Sequence, residues 1–151
     1  MNASSKNGLD FLNVYLISDF SQHQTTPITE QVEKALQGGI RVLQLREKDS
    51  SPKELLEQAL EIKPVIEKYD AKLFINDRAD IAQIAGAHGV HLTESSVPAG
   101  EIKDNFPNLI VGVSTHTKEG ALLAEAEGAD FITFGPVYET PSKIHLSLIH
   151  I

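Results

Sequence analysis

Three glycine-bearing segments, Gly38-Gly39-Ile40, Gly86-Ala87-His88-Gly89 and Gly128-Ala129-Asp130, each separate a helix-like stretch from a short apolar run. Glycine closes helices because it tolerates the left-handed cap conformation. Short apolar runs bounded in this way read as strands. Strands are expected at residues 13–18, 40–46, 72–76, 89–92, 109–114 and 131–135. A helix is expected after Thr26 as N-cap, with Pro27 at its first position and Ile28, Val32, Ala35 and Leu36 as its apolar stripe. Ser51-Pro52-Lys53-Glu54 has the spacing of a capping box, and Pro64 is expected to kink or split the helix that follows. Shorter helices are expected at residues 80–85 and after Pro98, and Thr117 caps one running to about residue 127. One helix between successive strands means a parallel sheet of βα units.

Two architectures fit, an open doubly wound sheet and a (β/α)8 barrel. The open sheet usually places a glycine-rich phosphate loop after its first strand, and none stands here. Polar residues instead gather at the C-terminal ends of the strands, where a barrel keeps its site. The fold class expected is therefore an α/β (β/α)8 TIM barrel. Only six strands can be counted, so the barrel is expected to be truncated after about six. Residues 1–12 are read as an N-terminal extension, residues 13–143 as the incomplete barrel and residues 144–151 as a tail that need not be native.

A formal net charge of −8 over 151 residues argues against nonspecific binding to nucleic acid or to anionic membrane. No apolar run approaches the roughly 20 residues of a membrane helix, and the polar first ten residues lack the apolar core of a signal peptide. With no cysteine, disulfide and thiolate chemistry are excluded. A soluble, cytoplasmic protein is expected, acting on small molecules, with homo-oligomerisation left open.

In such an acidic chain the run Gln44-Leu45-Arg46-Glu47-Lys48 stands out. Read as a strand, it puts Gln44, Arg46 and Lys48 on one face, away from Leu43 and Leu45. Desolvated cations need a partner, and phosphate suits the fork of Arg and the point charge of Lys. A solvated edge strand would show the same alternation. Other strand ends carry Ser18-Asp19, Asn76-Asp77-Arg78, His91, Ser114 with His116, and residues 135–143. Arg46, Lys48 and Lys143 with the amides of Gln44 and Asn76 could hold a di- or polyphosphate, and Asp77 could bring Mg2+, which prefers oxygen ligands. Plainer roles stay open. Asp77-Arg78 could cap a helix, His91 and His116 could be hydrogen-bonded structural histidines, with that role preferred for His91. Thr140-Pro141-Ser142 could be a turn, and Glu94-Ser95-Ser96 a capping loop.

The blocks Tyr15-Leu16-Ile17-Ser18-Asp19, Gln44-Leu45-Arg46-Glu47-Lys48-Asp49, Ile75-Asn76-Asp77-Arg78, Gly89-Val90-His91-Leu92, Gly112-Val113-Ser114-Thr115-His116 and residues 135–143 (GPVYETPSK) occur in this order. Together they resemble the thiamine phosphate synthase/TenI family from about Val14 to Lys143. The resemblance implies a (β/α)8 barrel of thiamin biosynthesis. It further implies an Mg2+-dependent transferase that joins hydroxymethylpyrimidine diphosphate to thiazole phosphate and releases diphosphate. The family's chemistry is dissociative, the thiazole nitrogen capturing a pyrimidine-stabilised cation. Carried over by position, Gln44, Arg46, Lys48, Asn76, Ser114 and Lys143 contact the pyrimidine diphosphate, Thr140 and Ser142 the thiazole phosphate, and Asp77 the metal. Ser96 stands where the synthases usually carry a second acidic ligand. The TenI-like thiazole tautomerases also lack that carboxylate and use a histidine at the place of His116 for proton transfer. A tautomerase is thus one alternative, and a non-catalytic phosphate-ligand binding or regulatory protein is another. The isolated 151 residues are expected to be inactive as a synthase.

Overall fold

The protein is described by a computed structural model over residues 9–20 and 26–136. A 3-10 turn at Asp10–Asn13 leads into β1 (Tyr15–Ile17), followed by α1 (Ile28–Gln37), β2 (Val42–Leu45) and α2 (Pro52–Lys68). Then come β3 (Lys72–Asn76), α3 (Ala79–Ala85), β4 (Gly89–Leu92) and α4 (Ala99–Asn105). The described order ends with β5 (Ile110–Thr115), α5 (Lys118–Ala126) and β6 (Phe131–Phe134). All neighbouring strands pair in parallel, in the spatial order β1-β2-β3-β4-β5-β6. A doubly wound sheet reverses its strand order at a switch point. This sheet never does, and each crossover steps to the next strand in the same direction.

The sheet also curls. In a flat sheet, strands about 4.8 Å apart would hold β1 and β4 roughly 14 Å from each other. Yet the Tyr15 hydroxyl on β1 lies 3.0 Å from His91 Nδ1 on β4, and the Tyr15 and Phe131 rings, on the first and last described strands, have centroids 5.9 Å apart. The six strands therefore form a half-barrel with a concave inner face.

Alternation gives that sheet two unlike faces. Leu43, Leu45, Leu73, Ile75, Val90, Leu92, Val111 and Val113 face the helices and are buried there with Val32, Leu36, Ile62 and Ile66. The concave face carries Tyr15, Phe74, His91 and Phe131, whose rings pack in tilted and edge-on pairs. Two glycines make room for them. A Cβ on Gly89 would sit 2.4 Å from the Phe74 ring, and one on Gly112 would sit 2.3 Å from the Phe131 ring.

Several local expectations are met. Ser51 Oγ accepts from the Glu54 amide at 3.3 Å while Glu54 Oε2 accepts from the Ser51 amide at 2.7 Å, closing the capping box. Thr117 Oγ1 accepts from the Gly120 amide at 3.0 Å, and Gly39, Gly86 and Gly128 have φ of +100°, +63° and +83° ahead of their strands. Others are corrected. Thr26 does not cap α1. Pro27 is the N-cap residue, and the Thr26 carbonyl instead accepts from the Gln31 side chain. Pro64 does not split α2, which runs unbroken through it. Proline removes one helical hydrogen bond, but burial of Ile62 and Ile66 on either side holds the helix against the core. β1 is confined to Tyr15–Ile17, and β2 to Val42–Leu45.

Candidate functional site

β2 lies between β1 and β3, so Gln44 is on an interior strand and not on a solvated edge. It is 2% exposed, and its Nε2 donates to Asn76 Oδ1 of β3 at 2.8 Å. Its other polar atom, Oε1, is buried without a hydrogen-bond partner. A buried carbonyl oxygen left unsatisfied costs free energy that a ligand donor can recover. The stripe does not extend unbroken to Lys48, however. β2 ends at Leu45, Arg46 follows it, and Lys48 lies in a turn. Both cations line a cavity of about 500 Å³ with Asp19, Glu47, Asp49 and Ser50 among its walls. Among the described residues neither the Arg46 guanidinium nor the Lys48 ammonium forms an ion pair. Glu47 points elsewhere, since its carboxylate accepts from the Ser18 hydroxyl at 2.6 Å and from the Phe20 amide at 3.1 Å. Ser18 Oγ in turn accepts from the Arg46 amide at 2.9 Å, which ties the loop after β1 to the loop after β2. Glu47 had no assigned role in the sequence, because its partners come from the segment after β1.

Asp77 directly follows β3 and has φ of +61°, the left-handed region that Asp tolerates better than most residues. Its carboxylate accepts a short hydrogen bond from the Ser96 hydroxyl, which itself accepts from the Thr93 amide at 2.7 Å. Asp77 does not cap α3: the N-cap residue is Arg78, whose guanidinium pairs with Asp80 at 2.8 Å. That pairing holds the Asp80 carboxyl below its usual range. Among the described residues no group of three or more acidic, His or Cys side chains is disposed to hold a metal. One exposed carboxylate with a neighbouring hydroxyl nevertheless fits Mg2+, which takes one or two carboxylates and completes its shell with water and phosphate oxygens.

Glu94 is no helix cap either, since α4 begins after Pro98 without a side-chain cap. Its Oε1 accepts from the His116 amide at 2.8 Å and links the loops after β4 and β5. His116 Nδ1 meets the Gly135 carbonyl oxygen in a short hydrogen bond. A carbonyl can only accept, so Nδ1 carries a proton, and in the neutral imidazole Nε2 is then the nitrogen with the lone pair.

His91 meets the structural expectation. It is 3% exposed and bonded through both nitrogens, to the Tyr15 hydroxyl and to Ser114 Oγ at 3.0 Å, with Thr133 Oγ1 at 3.3 Å. Burial lowers its pKa to about 4 and raises that of Tyr15. Gln44, Asn76, His91 and Ser114 thus share the concave face near the strand ends, with Arg46, Asp77 and His116 on the loops that follow. Thr140, Ser142 and Lys143 lie outside the described residues. Tyr15 and Thr133 were not singled out from the sequence. Their positions two residues from Ile17 and Phe131 on the inner face were the available signal.

Comparison with known proteins agrees with the fold. The family profile described as thiamine monophosphate synthase matches residues 14–151. The thiamine-phosphate synthase of Caldanaerobacter subterraneus subsp. tengcongensis is 44% identical over 144 residues, covering 95% of this chain and 67% of the relative. That of Methanococcus maripaludis is 39% identical over 135 residues, covering 89% of this chain and 64% of the relative. A solved thiamine phosphate pyrophosphorylase from Pyrococcus furiosus superposes with a TM-score of 0.79 at 36% identity, over 86% of this chain and 63% of that one. The chain spans about two thirds of the length of these relatives.

Proposed function

Because the chain belongs to the thiamine monophosphate synthase (TMP-TENI) family, we propose that it carries the pyrimidine-diphosphate half of a thiamine phosphate synthase. In this reading the protein joins hydroxymethylpyrimidine diphosphate to thiazole phosphate and releases diphosphate, on a sheet completed to a (β/α)8 barrel. The sequential strand order and inward curl support that completion.

The observation that carries the reading is Gln44: a 2%-exposed amide on an interior strand, braced by Asn76, with Oε1 unpartnered. A ligand N–H, such as an amine on the pyrimidine, would satisfy it. Arg46 and Lys48 would take the diphosphate, Arg46 by its planar fork and Lys48 as a point charge. Ser114 would add a hydroxyl donor, and Lys143 a further cation. Thr140 and Ser142 would take the thiazole phosphate. Asp77 would hold Mg2+ with Ser96 beside it, and bound Mg2+ would neutralise charge on the diphosphate. The work of such a site is to stabilise the departing diphosphate electrostatically, which calls for no general base on the pyrimidine.

A second reading has its own observation. The Nε2 lone pair of His116 is left as a base by the Nδ1–Gly135 bond, as a thiazole tautomerase would require. Calorimetric titration of the completed barrel with the pyrimidine diphosphate, with and without Mg2+, followed by assay for thiamine phosphate, separates the two. Mg2+-enhanced binding and product formation are expected. Thiazole isomerisation without Mg2+ dependence, abolished by His116→Ala, would instead make the protein a tautomerase. Tight binding without either product would make it a binding protein.

A further inference from the structure

Four hydroxyl and imidazole groups cross the concave face as one chain: Tyr15 on β1, His91 on β4, Ser114 on β5 and Thr133 on β6. Tyr15 Oη is 3.0 Å from His91 Nδ1, and His91 Nε2 is 3.0 Å from Ser114 Oγ and 3.3 Å from Thr133 Oγ1. Ser114 and Thr133 are themselves 3.2 Å apart. A neutral imidazole has one donor and one acceptor nitrogen, so the chain has two possible proton arrangements, and they are not equivalent. If Nδ1 carried the proton it would donate to Tyr15 Oη. The phenolic hydrogen would then have no acceptor among the described residues, in surroundings built of the Phe74, Phe131 and His91 rings. Tyr15 is half-buried, and a phenol faced by rings with no acceptor in the protein is the less favourable arrangement. If Nε2 carries the proton, Tyr15 donates to Nδ1 and Nε2 donates to Ser114, and the phenol and both ring nitrogens are satisfied. The phenol is also the more acidic hydroxyl and so the better donor to the basic nitrogen.

We propose that Tyr15 is a positioning residue: it fixes the His91 tautomer with the proton on Nε2, which turns the Ser114 hydroxyl hydrogen away from the ring to serve as a donor to the ligand. The ligand part rests on the function proposed above; the tautomer part does not. Ser114 Oγ accepts from the imidazole, so its own hydrogen is directed toward Thr133 or toward the open end of the site. Ring packing alone would be served equally by phenylalanine at position 15. The hydroxyl is what carries the information from β1 to β5.

Two measurements test this. In the wild-type protein at pH 7, the 15N shifts of the His91 ring should report a single tautomer protonated at Nε2. In Tyr15→Phe, which keeps the aromatic contacts, the Nδ1 signal should move downfield as its donor is lost, and the single state should give way to a mixture. An Nδ1–H tautomer in the wild type, or an unaltered ring in Tyr15→Phe, would overturn the proposal whatever the protein catalyses. The second measurement is a double-mutant cycle in the completed barrel. Tyr15→Phe should lower kcat for the synthase reaction about tenfold in the wild type and less than twofold in Ser114→Ala, with a smaller change in KM. Equal losses in both backgrounds would overturn the route through Ser114 while leaving the functional reading intact. If no turnover is found, the same cycle on affinity for the pyrimidine diphosphate decides, with coupling expected and additivity overturning the proposal.

Discussion

The two faces of the sheet come from the same six strands and alternate residue by residue, yet they are built on different principles. The helix-facing side is aliphatic, with Leu45, Ile75, Val90 and Val111 all 0% exposed. Its stability comes from area removed from water and from close packing, neither of which is directional. The concave side combines rings, amides and hydroxyls with two glycines, and its parts are joined by hydrogen bonds between strands that are not neighbours. One face holds the fold together, while the other leaves groups such as Gln44 Oε1 with a need still to be met. The contrast teaches that folding and binding are assigned to opposite sides of one layer.

The largest effect should come from the aliphatic face. Ile75→Ala should lower unfolding free energy by about 2–5 kcal/mol in urea denaturation, a large share of a typical 5–15 kcal/mol. A loss below about 1 kcal/mol would mean that this face is not the dominant core.

Next comes a pH dependence that belongs to the concave face. His91 titrates near 4 in the folded protein, against about 6.5 when unfolded. Between these values the unfolded chain binds the extra proton, so stability is complete above about pH 6.5 and declines as pH falls toward 4. The full difference is about 3 kcal/mol. Half-buried His88 is shifted in the same direction by burial and by Lys72 and Lys63, so the comparison must be with His91→Asn. That variant should flatten the slope of unfolding free energy between pH 7 and 4. An unchanged slope would show that His91 is solvated and that the inner face is looser than its hydrogen bonds suggest.

A smaller cost is expected from Gly112→Ala, because the new Cβ would lie 2.3 Å from the Phe131 ring and force it to move. About 1–3 kcal/mol is expected by thermal or urea unfolding, and a neutral result would show that the rings can shift without loss. Arg46→Ala should have the least effect on stability, within about 0.5 kcal/mol, while weakening diphosphate-ligand binding by roughly 1.5–3 kcal/mol. Unchanged affinity would remove the anion site from the concave side of the comparison.

The sequence alone was enough for the order and type of the elements. Glycines at helix ends, the Ser51 capping box, the Thr117 cap and the apolar runs are all local signals, and β4 was bounded correctly at Gly89–Leu92. Motif residues such as Gln44, Asn76, Asp77 and Ser114 could also be read, because strand ends in a βα repeat converge. Pro27, and the split offered at Pro64, were misjudged for a related reason. Local rules placed them by propensity, whereas packing of Val32, Leu36, Ile62 and Ile66 decided where the helices began and whether they continued.

What the tertiary structure alone decided is curvature and everything that depends on it. Period-two alternation tells which residues share a face, but not that the face closes far enough for β1 to reach β4 and β6. Tyr15 gains its role only through that closure, since its partner His91 is 76 positions away in sequence. The same holds for Glu47, whose carboxylate serves Ser18 and Phe20 in the segment after β1, and for Ser96, which meets Asp77 across two loops. Hydrogen bonds are short-ranged and directional. Which atoms make them is therefore settled by where the folded backbone places them, while the pattern of apolar and polar residues only determines that there will be an inside in which to make them.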